Sequence, residues 1–537
     1  MPVMTGGQAL VGALAAHGVD TIFGMPGSHS LVIYDALVDC PAIQHISVRH
    51  EQGAAFMADG YARVTGKVGV CLTTTGPAAL NTFGSLATSY GDSIPVLLLC
   101  TQVPSDFIGQ NKGFYHEIPH QMGMLERVTK YSVSVRSGQQ IADSVREAFR
   151  IALDGRPRPV ALELPYNVLN AEWEVTISDP AARTRSKPGP NEVEAAMTLI
   201  TQAKRPIIWI GGGATTSGVS TELRQLAELI QAPVLSTPLG KGVLSADHPL
   251  DVGFLAVKTP VQVYMKTCDL MIAIGTRLSF ISTERWTLPF PQKMIHIDID
   301  PEVIGRNYPV TLGIVADARE TLKAIVERLE VDATRCESRE SEVRALKEQV
   351  RTDWESDIPR EYQLIQRIRS ALPRETIVVG GPTMASYLTW RMFDLFEPRH
   401  YPYPLSCATV GYALPAALGA KLANPDRPVV AMCGDGGFML TCQELATAVQ
   451  YGVNVVIMLF NDNGYEVLRL QQQERFGRYS EVDLKNPDFV AMARSFGAES
   501  WRVEVDQLRE AIRPALALEK MVLLEIPVTL AADVITA

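Results

Sequence analysis

The stretch from Val429 to Arg469 constrains this chain more than any other. An apolar run, Val429-Val430-Ala431-Met432-Cys433, reads as a buried strand and stops on Gly434-Asp435-Gly436-Gly437. A helical segment follows, with apolar Leu440, Leu445, Ala448 and Val449 on one side, and Gly452 punctuates it. A second apolar strand, Val453 to Phe460, stops on Asn461-Asp462-Asn463-Gly464. This is a βαβ unit. Its right-handed crossover puts both strand ends on one edge of a parallel sheet, the edge at which open α/β sheets bind ligands. Asp435 and Asp462 are 27 residues apart. A lone Gly-Asp-Gly is ordinarily a turn. Two acidic turns at successive strand ends are a different pattern: hard oxygen ligands beside free glycine N–H groups suit Mg²⁺ and a phosphorylated ligand.

The rest of the chain repeats that grammar. In the first third, strands at Thr21–Gly24, Ile43–Val48, Val68–Thr73 and Pro95–Cys100 alternate with helices, among them Gln8–His17, Leu31–Leu37 and one opened by Arg49-His50-Glu51. Residues 178–191, rich in Pro, Gly and charge, read as a linker. Strands Ile207–Ile210, Leu270–Ile274 and Met294–Ile299 make a second βαβ region, and a charged helix from about Ser338 to Glu361 leads to the last third. The predicted class is α/β, with three doubly wound parallel-sheet domains over residues 1–177, 190–335 and 362–537.

Composition narrows the function. The 537 residues are 47% hydrophobic and 20% charged, with net charge −10, which argues against nucleic acid as the main partner. No run of about 18 uncharged apolar residues is present to span a membrane. Met1–Gly7 lacks the basic and apolar regions of a signal peptide, and the eight cysteines are scattered without close pairs. Several, such as Cys71, Cys100 and Cys433, sit in apolar strands and read as reduced core residues, so a cytoplasmic setting is expected.

The Gly434-Asp435-Gly436 to Asn461-Asp462 spacing resembles the diphosphate-binding motif of thiamine-diphosphate enzymes. Arg49-His50-Glu51-Gln52-Gly53-Ala54-Ala55 through Ala58-Asp59-Gly60-Tyr61-Ala62 resembles their pyrimidine-binding region, and the likeness extends over essentially the whole chain. It implies Mg²⁺ held by Asp435, Asp462 and the Gly464 carbonyl. Gly434, Gly436, Gly437, Thr383, Met384 and Tyr465 would contact the cofactor, Ala408 would offer its carbonyl to the 4′-amino group, and Val410 would wedge the cofactor into its bent shape. A lone Glu at a helix start is usually just a favourable dipole partner. In this family the Glu51 position holds the N1′ proton of the aminopyrimidine, so that the 4′-imino group can deprotonate thiazolium C2. The implied reaction is 2-oxo acid decarboxylation or carboligation, acetolactate-synthase-like, through an enamine that is protonated or ligated to a second carbonyl.

Ser28, Thr74, Gly76, Gln110, His116 and Glu466 match regions that line the reacting carbonyl in relatives. Tyr115-His116-Glu117 stands where pyruvate decarboxylases carry a His pair and acetolactate synthases carry Gln. Thr74 stands where benzoylformate decarboxylase has His. Gln471 and Glu466 replace a Trp and a Gly of acetolactate synthases. A histidine in a site loop points to proton transfer, so His116 is the candidate, while His29 and His120 read as structural. Gly211-Gly212-Gly213, Gly275-Thr276-Arg277 and Asp298-Ile299-Asp300-Pro301 resemble a FAD-binding domain that many relatives keep without flavin, and a colourless protein is expected. The family shares one cofactor between Glu51 of one chain and Asp435 of another, which implies a homodimer at minimum and a homotetramer as the usual assembly. Rival readings are a benzaldehyde-lyase-like carboligase without decarboxylation, a flavin-dependent 2-oxo acid oxidase, for which the end at Ala537 leaves little room for a membrane tail, and a silent assembly partner.

Overall fold

The computed structural model describes residues 2–182, 184–332 and 337–530. The expected domain limits at residues 1, 335 and 537 lie outside them. Three parallel sheets organise the chain, each covered by helices. The first has six strands in the order Gln44–Ser47, Thr21–Gly24, Gly69–Thr73, Val96–Gln102, Val160–Pro165 and Tyr131–Ser134. The second runs Asp251–Gly253, Val234–Ser236, Pro206–Ile210, Leu270–Ile274, Lys293–Asp298 and Leu312–Val315. The third runs Ile377–Gly380, Val429–Gly434, Val456–Asn461, Val522–Pro527 and Glu499–Arg502. The expected class, three doubly wound α/β units, is the one observed. Central strands buried on both faces read as continuous apolar runs, which is why they were legible. A short antiparallel pair, Val3–Thr5 with Glu172–Glu174, closes the first unit.

Two elements differ from expectation. The charged connector is not one helix: it breaks at Ile358-Pro359 into Glu340–Asp357 and Pro359–Ala371. Proline has no N–H to continue the ladder and pushes the residue before it out of the helical region, here to φ −139°. The helix after Asp435 is likewise two pieces, Asp435–Met439 and Glu444–Gln450. Leu445 and Ala448 are buried as expected, but Leu440 and Val449 are exposed.

The first and third units dock through the helices Glu51–Thr65 and Ala413–Ala423, whose backbones nearly touch. A Cβ on Gly419 would run into the Met57 carbonyl, and one on Gly60 into that of Ala416. At this seam Arg63, 7% exposed, pairs with Asp59 at 2.5 Å and Asp92 at 2.9 Å. The hydroxyls of Tyr412 and Ser89 donate to Asp59, both at 2.7 Å. A buried charge is tolerated when it is paired and hydrogen-bonded in this way.

Candidate active site

Parallel pairing puts the two acidic turns side by side. Gly434 stands opposite Phe460 in the ladder, so Asp435 and Asp462 emerge from neighbouring strands on one edge. Asp435 is buried, and its Oδ2 accepts from the Gly464 N–H at 3.1 Å and from Asn486 Nδ2 at 2.6 Å. Asn486 also donates to Asn461 Oδ1 at 3.1 Å, and Asn461 donates to Glu525 at 2.8 Å. Asn461 therefore braces the turn while Asp462 stands free of that bracing. Asp462 Oδ1 is buried with no hydrogen-bond partner. Burial first, then the charges of Asp435 and Glu466, push the Asp462 carboxyl up to about 7, against the pull of Arg469. Burial also raises Asp435, opposed by Asn486 and the N–H groups of Gly436 and Gly464. An orphaned carboxylate oxygen beside a second acid fits a divalent cation. Among the described residues no cluster of three or more His, Cys, Asp and Glu occurs. A cation here would rest on two carboxylates, the Gly464 carbonyl and oxygens from outside the chain, the partial protein coordination that suits Mg²⁺.

The walls around this pair suit a diphosphate. Gly434 closes on the Thr383 side chain, and Thr383 caps the helix Met384–Met392, whose first N–H groups lack intrahelical partners. A Cβ on Gly436 would lie 2.5 Å from the Tyr465 ring, and one on Gly437 3.2 Å from Val410 Cγ1. Val410 is 37% exposed, a large apolar side chain standing clear of its own core. It is held there from both sides: Thr409 Oγ1 meets Thr88 Oγ1 at 2.6 Å, and the Gly411 carbonyl accepts from Thr441 at 2.9 Å. Ala408, at φ +46°, lies on the same segment.

Glu51 opens the helix Glu51–Thr65, with His50 as the cap accepting from the Gln52 N–H at 3.1 Å. It is 6% exposed, and its Oε2 accepts from Asn81 Nδ2 at 2.9 Å. The turn before it is gripped from the third unit: Glu444 accepts from the Arg49 N–H at 3.2 Å, and a Cβ on Gly53 would lie 2.6 Å from Glu444 Oε1. Burial raises Glu444, opposed chiefly by the Thr447 hydroxyl. No pattern in the sequence singled out Glu444, Asn81 or Asn486, because their partners are 30 to 395 residues away.

Some of the expected substrate-facing residues meet at the ends of strands Thr21–Gly24 and Gly69–Thr73. The Gly27-Ser28 turn packs on Thr74, and Gly76, at φ +64°, lies under the His116 carbonyl. His116 Nδ1 is buried and unpartnered. His29, expected to be structural, is buried at the centre of this group. Its Nδ1 meets Thr75 Oγ1 at 2.8 Å, and its ring faces those of Phe114, Tyr115, His116 and Tyr166. Burial, and then His116, hold His29 below the usual imidazole range. Gln110 is not drawn in; it is exposed and its amide donates to the Asp106 carbonyl. Glu466 is buried on the other unit and ion-paired with Arg469 one helical turn on, so it is not free to face the substrate side.

The glycine cluster of the middle unit has a packing reason. The Gly213 N–H donates to the Gly275 carbonyl at 2.8 Å, and a Cβ on Gly211 would lie 2.5 Å from that oxygen. Beside it is a cavity of about 110 Å³ lined by Arg156, Gly212, Arg277 and Asp298. Burial pushes Asp298 up to about 6.

Comparison with known proteins identifies the family. Residues 4–124 match the N-terminal TPP binding domain of thiamine pyrophosphate enzymes, 193–325 their central domain and 381–526 their C-terminal TPP binding domain. The chain is 36% identical over 546 aligned residues to the "Probable acetolactate synthase large subunit" of Methanocaldococcus jannaschii, covering 97% of this chain and 92% of that one. It is 34% identical to the "Probable 2-ketoarginine decarboxylase" of Pseudomonas aeruginosa, over 97% and 94% of the two chains. It is also 34% identical to the acetolactate synthase large subunit of Corynebacterium glutamicum, over 95% and 84%. The chain belongs to the thiamine pyrophosphate enzymes, and is an enzyme that uses this cofactor to break and form C–C bonds.

Proposed function

We propose that the chain is a thiamine-diphosphate- and Mg²⁺-dependent decarboxylase or carboligase acting on a 2-oxo acid. The observation that carries the reading is the buried, unpartnered Asp462 Oδ1 beside Asp435 at the ends of two paired strands. When bound, thiamine diphosphate supplies a nucleophilic carbon and an electron sink for the substrate carbonyl. Asp435, Asp462 and the Gly464 carbonyl would hold the cation. Thr383 and Met384 would present N–H groups to the diphosphate, Val410 would brace the cofactor, and Glu51, oriented by Asn81, would hold a proton at the pyrimidine N1′. His116, with His29 behind it, faces the substrate side and can move a proton there.

Glu51 is hydrogen-bonded to Asn81 in the first unit, and Asp435 to Gly464 and Asn486 in the third. Sharing of one cofactor between two chains, hence a homodimer or a tetramer built from it, is carried over from the family the chain belongs to. The packing of Gly211 and Gly213 on Gly275 gives the glycine cluster a structural reason of its own, and a flavin-free protein is expected. Absorbance near 450 nm, where oxidised flavin is expected, would overturn that. Two outcomes after CO₂ loss are open to this site, protonation to an aldehyde or ligation to a second carbonyl. A panel of 2-oxo acids and aldehydes with thiamine diphosphate and Mg²⁺, followed for CO₂ and for the carbon product, tests the function. CO₂ from at least one 2-oxo acid is expected; C–C cleavage or ligation without CO₂ release would shift the assignment to a non-decarboxylating carboligase.

A further inference from the structure

The helix Met384–Met392 points its N-terminus, capped by Thr383, at the diphosphate walls, and its other end is held by a residue of the middle unit. Lys241 follows the short turn Pro238–Gly240 and reaches across to the third unit. Its Nζ donates to the carbonyls of Thr389 at 3.2 Å, Trp390 at 2.8 Å and Phe393 at 2.7 Å. The Trp390 and Phe393 carbonyls lie in the last turn and cap, where a helix leaves carbonyls unsatisfied and favours a cation, while the Thr389 carbonyl also accepts from the Phe393 N–H at 3.3 Å. A second tie lies alongside, the Ala246 N–H donating to the Leu395 carbonyl at 3.0 Å. A Cβ on Gly242 would run into the Glu397 carbonyl, so the two segments are pressed together. The helix has nine residues and spans about 13 Å, short enough that a shift at one end moves the other.

We infer that Lys241 is a positioning residue for the cofactor: by clamping the C-terminal end of the helix Met384–Met392 it sets the N–H groups of Thr383 and Met384 against the diphosphate. The middle unit thereby acts on cofactor affinity without touching the cofactor. Lys241 also lines a cavity of about 480 Å³ with Asp251, Lys347 and Asp394, so its ammonium position is reachable by small molecules. Burial pushes Lys241 down to about 8, against the attraction of Asp394 and Asp251, which keeps it mainly charged at neutral pH.

This rests on the thiamine-diphosphate reading, so the experiment carries its own control. Thiamine diphosphate affinity is measured by calorimetry with excess Mg²⁺ for the wild type, Lys241→Ala and Asp435→Ala. Lys241→Ala is expected to raise the apparent Kd on the order of tenfold, within the roughly 5- to 150-fold range of coupling between linked sites, with kcat at saturating cofactor nearly retained. n-Propylammonium, which has N–H donors and fits the vacated stem, should restore affinity, and tetramethylammonium should not. An unchanged Kd, or equal restoration by both ions, would overturn the inference. If Lys241→Ala does not fold, Lys241→Met takes its place. Hydrogen exchange on the wild type adds a measurement free of mutation: cofactor binding should slow exchange in residues 241–246, and no change there would overturn the clamp. Failure of the wild type to bind, or wild-type binding by Asp435→Ala, would instead refute the underlying site.

Discussion

Replacing Glu51 with Gln separates a proton-holding carboxylate from one that merely serves a helix end. Gln keeps the shape and can offer its amide oxygen to Asn81 Nδ2, the 2.9 Å contact that orients Glu51 now. The stability cost therefore has two small parts. Loss of the negative charge in the first turn of Glu51–Thr65 costs about 0.3–1 kcal/mol. Turning one charged hydrogen bond into a neutral one costs roughly another 1 kcal/mol. If Glu51 holds the N1′ proton, turnover should fall by ~10²–10⁴-fold, equivalent to about 3–5 kcal/mol on the barrier. The two effects differ enough to be told apart. Exchange of the cofactor C2 proton into D₂O, quenched in acid and read by NMR, isolates that step from substrate binding. A variant that exchanges the proton as fast as wild type would show that Glu51 is only a helix-end carboxylate, and the proposed chemistry would be wrong.

Asp435→Ala removes the proposed metal ligand together with the acceptor for Gly464 and Asn486, and should abolish retention of thiamine diphosphate and Mg²⁺; wild-type affinity by calorimetry would sink the metal assignment. Gly419→Ala drives a methyl into the Met57 backbone where two helices cross, and should destabilise the fold by about 1–3 kcal/mol, the usual cost of overpacking, read from denaturant midpoints. Burial raises Asp251 from 3.8 to about 6, so the folded state binds its proton more tightly than the unfolded state. Its penalty is absent below pH 4, grows between about pH 4 and 6, and is full above. Asp251→Asn should therefore stabilise the protein at pH 7 by up to roughly 3 kcal/mol but hardly at pH 4; a pH-independent difference would refute the cause given.

Much of the molecule was legible in one dimension. Runs such as Val429–Cys433 and Leu270–Ile274 announce strands covered on both faces, and the residues that follow a parallel strand must appear on its C-terminal edge. Asp435, Asp462 and Glu51 could thus be placed at sheet edges or helix starts from local pattern and family likeness alone. The break at Pro359 was also written in the sequence, and the charge pattern of the connector outweighed it in the expectation.

What only the tertiary structure decided is how those residues are held. Glu444 grips the turn before Glu51, Asn486 and Glu525 brace the turn at Asn461-Asp462, His29 rather than Gln110 joins His116, and Lys241 ties down the end of the helix Met384–Met392. Each rests on a few hydrogen bonds or ring contacts between segments tens to hundreds of residues apart. Strand and helix periodicities reflect repeated burial of one face and so leave a repeating trace. A lone side chain bonding to a distant carbonyl or carboxylate repeats nothing, and its partner exists only once the chain has folded.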